Sequence, residues 1–174
     1  GVTVVYNPKS NCKLGSGVCP VSALQKAGVN LSLATDGPAS NDRLDMFEEM
    51  RVGAMLQKAA AGDPTALSAK DVFSMATRGG ANMLALDAGE LVPGKLADFF
   101  VLPLDKPHLA FGQGDPIATA VYCARSGDVR DVFVGGKPAL QDYCVVGLDE
   151  AAVKRAFYEN CVRLQAEIDA NAKK

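Results

Sequence analysis

The chain has 174 residues, of which 48% are hydrophobic and 22% are charged, a composition typical of a globular domain or a large piece of one. The net charge of −2 offers no basic surface for nucleic acid or an anionic membrane, so we expect neither partner. No apolar run reaches the roughly 18 residues of a membrane span, and no signal peptide is visible.

The N-terminal segments predict one strand–helix–strand unit. Residues 2–6, VTVVY, are β-branched and end at an Asn-Pro pair, which predicts a strand buried on both faces. Residues 9–20 are rich in Gly and Ser and predict a loop, whereas residues 21–27 have helical spacing and Gly28 as a C-cap. Residues 30–34 predict a second buried strand. The short links predict parallel strands with a right-handed crossover.

Two helices are predicted next, beginning with a long one over residues 42–61. Asn41 or Asp42 is the expected N-cap of this helix. Its expected apolar stripe consists of Leu44, Phe47, Met50 and Ala54.

The second helix lies within residues 67–84 and contains both a start signal and a stop signal. Ser68 and Asp71 have the spacing of a capping box. The adjacent Gly79 and Gly80 are expected to end or interrupt the helix.

The remaining residues predict short strands and a closing helix. Residues 89–105 contain Pro-Gly and Gly turns between apolar runs, and residues 118–124 and 131–134 are also predicted strands. Residues 135–142, GGKPALQD, predict a hairpin-like link. Residues 149–170 predict one amphipathic helix.

The cysteine pattern concerns redox state and cellular location. Five cysteines are present, an odd number, and no CxxC occurs, which argues against a disulfide framework or a zinc knuckle. Reduced thiols in a cytoplasmic protein are therefore expected. The chain starts at Gly1 without an initiator Met, from which we expect a processed, tagged or truncated chain.

Polar side chains follow both predicted parallel strands. Asn7 ends the first strand, and Asp36 follows the second between Thr35 and Gly37. Ligands of parallel α/β proteins bind at the carboxyl ends of the strands. A partly desolvated carboxylate is expected at Asp36, with a raised pKa unless a metal or cation stabilises its charge.

The residues alone leave two interpretations of Asp36 open. It is either a zinc ligand that also acts as a base for metal-bound water, or a cap of the GPASN turn. Ser10, Asn11 and Ser40 are likewise either pocket residues or turn residues, and capping is the favoured role of Asn41.

Other catalytic sites find little support. The single histidine, His108, lies beside a proline and is expected to be a surface or packing residue. Zinc needs three or four ligands, so this chain alone is not expected to assemble a catalytic zinc site. No nucleophile–base pair of a serine or cysteine hydrolase, no GxGxxG after a strand and no P-loop is present.

A long motif nevertheless resembles a known family. Residues 7–51, NPKSNCKLGSGVCPVSALQKAGVNLSLATDGPASNDRLDMFEEMR, resemble the last two barrel strands of the amidohydrolase superfamily. They are most similar to its 5-methylthioadenosine/S-adenosylhomocysteine deaminases, which have chlorohydrolase and guanine deaminase relatives. Residues 97–105 and 129–142 resemble the return strand and closing hairpin of that family's small β-sandwich.

The resemblance implies an α/β fold built from pieces of that architecture. Residues 1–84 would be the C-terminal part of a (β/α)₈ TIM barrel, residues 85–148 part of a small β-sandwich domain, and residues 149–174 a C-terminal helix. The chain would begin near the seventh barrel strand. The family's metal histidines and its proton-shuttling glutamate would then lie upstream.

The resemblance also implies a metal-dependent hydrolytic deaminase of an adenine nucleoside such as S-adenosylhomocysteine or 5-methylthioadenosine. Asp36 would be catalytic and would bind the single divalent metal, usually zinc, while Ser40 would contact the substrate. The isolated chain is expected to be inactive, with the metal expected in the complete protein. Its expected partners are the purine nucleoside-like substrate and either the N-terminal portion or further copies in a homo-oligomer.

Two alternatives remain open. One is a related amidohydrolase of the guanine deaminase or triazine chlorohydrolase type, against which the sequence LDMFEEMR favours the adenine nucleoside group. The other is a non-catalytic structural fragment, which would need a partner chain because exposed sheet edges promote aggregation.

Overall fold

The computed structural model describes residues 1–110 and 114–172 and has an α/β fold with two sheets. One sheet pairs two parallel strands, and the other has four antiparallel strands in chain order. The strands are β1 (Thr3–Tyr6), β2 (Asn30–Leu33), β3 (Phe99–Val101), β4 (Asp131–Val134), β5 (Lys137–Gln141) and β6 (Cys144–Val145). The α-helices are α1 (Pro8–Leu14), α2 (Val21–Lys26), α3 (Met46–Ala61), α4 (Ala69–Ser74), α5 (Gly80–Met83), α6 (Pro116–Tyr122) and α7 (Glu150–Asn171).

The predicted strand–helix–strand unit is confirmed, with β1 and β2 parallel from the Thr3–Asn30 pair to the Tyr6–Leu33 pair. The loop predicted for residues 9–20 is wrong in its first half, where α1 lies. This helix starts at a proline, whose fixed φ suits a first helical position, and ends at Gly15 with φ of 66°. Burial of β1 on both faces is also wrong, because Val5 is exposed.

Helix α3 begins later than predicted, because Asp45 is its N-cap. The Asp45 carboxylate accepts hydrogen bonds from the backbone N–H groups of Phe47 at 3.0 Å and Glu48 at 3.3 Å. The capping roles predicted for Asn41 and Asp42 are therefore wrong. The predicted stripe is buried at Phe47, Met50 and Ala54, whereas Leu44 precedes the helix and is exposed.

The helical segment after residue 68 continues through both glycines. Its capping box between Ser68 and Asp71 is confirmed. A π-helical turn, Met75–Gly79, joins α4 to α5, so of the two expected outcomes the α-helix is interrupted up to Gly79 and does not end there. Glycine is needed at position 79 because of packing and not because a helix ends there, since a Cβ on Gly79 would lie 2.0 Å from the backbone oxygen of Leu31 in β2.

The C-terminal half contains one wrong element type. Residues 118–124 were expected to be a strand, but most of them belong to α6, which Asp115 caps through the backbone N–H of Ile117 at 2.9 Å. Strand β4 and helix α7 are confirmed. The predicted link over residues 135–142 contains strand β5, which follows a turn at Gly135 and Gly136.

One hydrophobic core links the parallel sheet to the surrounding helices. It includes Tyr6 of β1, Leu31 of β2, Phe47 of α3, Val72 of α4 and Val121 of α6. Helix α7 contributes no buried residue. The division at residues 84 and 148 stays a prediction. In the described ranges, no helix is both long and apolar enough to cross a membrane.

The single histidine belongs to a charged cluster around Asp128. The buried Asp128 carboxylate lies 2.8 Å from Lys106 Nζ and 2.9 Å from His108 Nε2, and it accepts a hydrogen bond from the backbone N–H of Arg125 at 3.1 Å. Burial acts to raise its pKa, but the hydrogen bonds from Lys106 and His108 outweigh burial and lower the pKa to about 2.

This cluster predicts a pH-dependent contribution to stability. Because the folded pKa lies below the ordinary value of 3.8, the contribution is complete above about pH 4 and is lost as the pH falls through about 2. Solvent screening at the partly exposed Lys106 and His108 limits it to about 1–2 kcal/mol. We expect Asp128→Asn to lose that amount in urea unfolding at pH 7 and to match the parent chain near pH 2. An equal deficit at both pH values would contradict the prediction.

Candidate active site

Asp36 lies at the carboxyl edge of the parallel sheet, just beyond the end of β2. The strand pairing extends one residue past β2, since the Ala34 backbone N–H donates to the Tyr6 oxygen at 3.1 Å. Asp36 then turns the chain with φ of 62°. Aspartate tolerates this left-handed conformation better than most residues. Asn7, predicted at the same edge, directly follows β1, and its buried Oδ1 has no hydrogen-bond partner among the described residues.

Three donors hold the Asp36 carboxylate. Its Oδ2 accepts hydrogen bonds from the hydroxyls of Ser10 and Ser40, each at 2.7 Å, and its Oδ1 accepts one from the Gly37 backbone N–H at 2.7 Å. The Ser10 bond first, then those from Ser40 and Gly37, lower the pKa of Asp36. Partial desolvation and a raised pKa were expected. That expectation is wrong, because the carboxylate is exposed beyond the strand and its donors favour the charged form.

The structure thus joins Ser10 and Ser40, two of the ambiguous polar residues, to Asp36. Ser10 is buried on α1, 26 positions earlier in the chain. Ser40 lies four residues after Asp36, and its hydroxyl is also 3.0 Å from the Gly37 oxygen. Asn11 is not among the hydrogen-bond partners of Asp36. Both the turn-capping interpretation and the ligand interpretation of Asp36 fit these contacts.

The sequence analysis did not predict that Glu49, an acid on α3 in contact with residues close to Asp36, is buried. Its carboxylate accepts hydrogen bonds from the Lys9 backbone N–H at 3.2 Å and from Asn41 Nδ2 at 2.5 Å. Asn41 Nδ2 also donates to the Thr35 oxygen at 2.8 Å. Burial raises the pKa of Glu49. One signal could have revealed it: Glu49 shares a helix face with the buried Gly53.

The exposed position and the hydrogen bonds of Asp36 are compatible with a role as one ligand of a metal site. Across residues 1–110 and 114–172, no three His, Cys, Asp or Glu side chains lie close enough together to hold a metal ion. A zinc ion takes three or four protein ligands. Around Asp36, the described residues therefore offer a zinc ion one exposed carboxylate, and a zinc ion bound there would need further ligands.

Known proteins resemble this chain over most of its length. The sequence pattern of the amidohydrolase family matches residues 1–139. The 5'-deoxyadenosine deaminase of Methanothermobacter thermautotrophicus is 51% identical over 152 residues, which are 87% of this chain and 35% of that protein. The 5-methylthioadenosine/S-adenosylhomocysteine deaminase of Natronomonas pharaonis is 42% identical over 171 residues, which are 98% of this chain and 39% of that protein. The chain thus spans less than two-fifths of the length of either relative.

Solved structures of similar proteins have a similar fold. An adenosine deaminase from Xanthomonas campestris with bound zinc superposes with a TM-score of 0.91 and 40% identity, over 95% of this chain and 38% of that one. The zinc complex of atrazine chlorohydrolase from Arthrobacter aurescens gives a TM-score of 0.83 and 27% identity, over 90% of this chain and 35% of that one. The family match covers most of the chain, and we conclude that the chain belongs to the amidohydrolase family.

Proposed function

We propose that this chain is the C-terminal part of a metal-dependent hydrolytic deaminase that acts on an adenine nucleoside. The main support is the Asp36 carboxylate, charged and held by three hydrogen bonds at the carboxyl edge of parallel strands. In this proposal, residues 1–84 complete a (β/α)₈ barrel, residues 85–148 belong to a small β-sandwich and residues 149–174 form a terminal helix. S-adenosylhomocysteine, 5-methylthioadenosine and 5'-deoxyadenosine are the proposed substrates.

Asp36 has two proposed roles, as a metal ligand and as the acceptor of a proton from the attacking water. The hydrogen bonds that lower the pKa of Asp36 favour its charged form, which both roles require. The hydroxyls of Ser10 and Ser40 orient it, and the exposed position of Asp36 leaves it accessible to a ligand. A bound zinc ion would activate water as a nucleophile near neutral pH. We further propose that Ser40 contacts the substrate.

The proposed partner of the chain is the rest of the enzyme. Asp36 supplies one ligand, so the remaining zinc ligands are proposed to come from an N-terminal portion corresponding to that of the deaminase relatives. The small-molecule partner is a purine nucleoside. A cytoplasmic homo-oligomer stays part of this proposal.

The test joins this chain to the N-terminal portion of the Methanothermobacter relative, and we call the product the fused protein. We expect it to bind zinc and to deaminate adenine nucleosides, and the deamination is measured as the loss of adenine absorbance. The chain alone is expected to show no turnover.

The same assay separates the alternatives. Turnover of guanine or of a chlorotriazine, without turnover of adenine nucleosides, would favour the related amidohydrolases. A folded fused protein with no turnover of any of these compounds would favour a non-catalytic fragment.

A further inference from the structure

We propose that Glu49 is a positioning residue that fixes the conformation of the loop carrying Asp36, residues 35–41, an inference that rests on the proposed function. Glu49 is fully buried on α3. Among the described residues it forms no salt bridge, because the nearby Lys9 ammonium is 2.6 Å from Glu48 instead. Both Glu49 oxygens are hydrogen-bonded to neutral groups. Burying an acid without an ion pair costs folding free energy, so an apolar side chain of similar volume would stabilise the fold at least as well.

The first contact of Glu49 controls the backbone of Asp36. Asn41 Nδ2 bridges the Glu49 carboxylate and the Thr35 carbonyl oxygen. That carbonyl belongs to the peptide unit preceding Asp36, whose orientation sets the φ of 62°. A residue other than glycine in the left-handed conformation is strained and persists only where its surroundings hold it. Glu49 supplies such a constraint by fixing the Asn41 amide.

The second contact of Glu49 fixes the position of Ser10, the serine on α1 that donates a hydrogen bond to Asp36. The Lys9 backbone N–H donates to Glu49 Oε2 at 3.2 Å. The next residue is Ser10, whose hydroxyl donates to Asp36 Oδ2. One buried carboxylate therefore fixes both the loop that carries Asp36 and the start of the helix that orients it.

The test is Glu49→Gln, which keeps the size of the side chain. A glutamine has one oxygen and one NH₂ group, so it cannot accept both existing hydrogen bonds. Glu48→Gln is the matched control, because it removes the neighbouring carboxylate, which is bonded to Lys9 Nζ. Three measurements are made well below the melting temperature of each variant: zinc affinity of the fused protein by chelator competition, kcat and KM separately, and hydrogen exchange of residues 35–41.

We expect Glu49→Gln to weaken zinc binding or lower kcat by about 10–100-fold, with little change in KM and faster exchange over residues 35–41. Glu48→Gln should match the parent protein in all three. If Glu49→Gln lowers only the melting temperature and otherwise matches Glu48→Gln, Glu49 is merely structural and the inference is wrong. A parent fused protein that binds zinc but deaminates nothing would instead overturn the proposed function, while zinc affinity and exchange would still decide the role of Glu49.

Discussion

Asp36→Asn is expected to lower the kcat/KM of the fused protein for S-adenosylhomocysteine by at least about 100-fold, the lower end of the effect of losing a catalytic base. Asparagine keeps the shape of the side chain but cannot take a proton from water, and its neutral amide is a poorer zinc ligand. Its NH₂ group would also face either the Gly37 N–H or the two serine hydroxyls that now donate to Asp36. The measurement is the initial rate of adenine absorbance loss at several substrate concentrations.

The matched control is Asp42→Asn, six residues further along the same loop. The Asp42 carboxylate is exposed and bonded to Lys13 Nζ at 2.9 Å, and exposed ion pairs contribute little. We expect kcat/KM to change by less than about two-fold, within the small range of an exposed pair. Equal activity of Asp36→Asn and Asp42→Asn would favour the turn-capping interpretation of Asp36.

Gly79→Ala is expected to destabilise the chain by at least about 3 kcal/mol, the upper range for overpacking. The new Cβ would lie 2.0 Å from the Leu31 backbone oxygen and 3.1 Å from its carbonyl carbon. Neither atom can move without displacing β2 or the π-helical turn against it. The measurement is urea unfolding of this chain, and failure to fold is within the expected range.

Gly80→Ala provides the control one residue later. Both glycines have right-handed helical backbone angles, but a Cβ on Gly80 would make only an ordinary 3.6 Å contact with Ser32 Oγ. The gain in helix propensity should then leave the chain unchanged or up to about 1 kcal/mol more stable. Similar stabilities of the two variants would mean that Gly79 does not approach β2 closely.

Two errors in the predicted elements arose where the composition of a segment and the capping residue at its N-terminus indicated different structures. Residues 118–124 are rich in residues that also favour strands, but the Asp-Pro pair before them caps and starts α6. The long helix α3 was predicted to start near residue 42, although Asp45 is the residue whose carboxylate reaches the free N–H groups. Cap candidates that are close in sequence can be distinguished only by their backbone geometry.

The sequence by itself determined the parallel strand pair, the position of Asp36 at its carboxyl edge and the likeness to amidohydrolases, because these depend on local patterns and motif spacing. Only the tertiary structure decided the contact between Asp36 and Ser10, the burial of Glu49 and the close approach of Gly79 to β2. Each of these joins segments that are far apart in the chain or on different elements. Such contacts follow from how the helices and the sheet pack, which a local pattern does not specify.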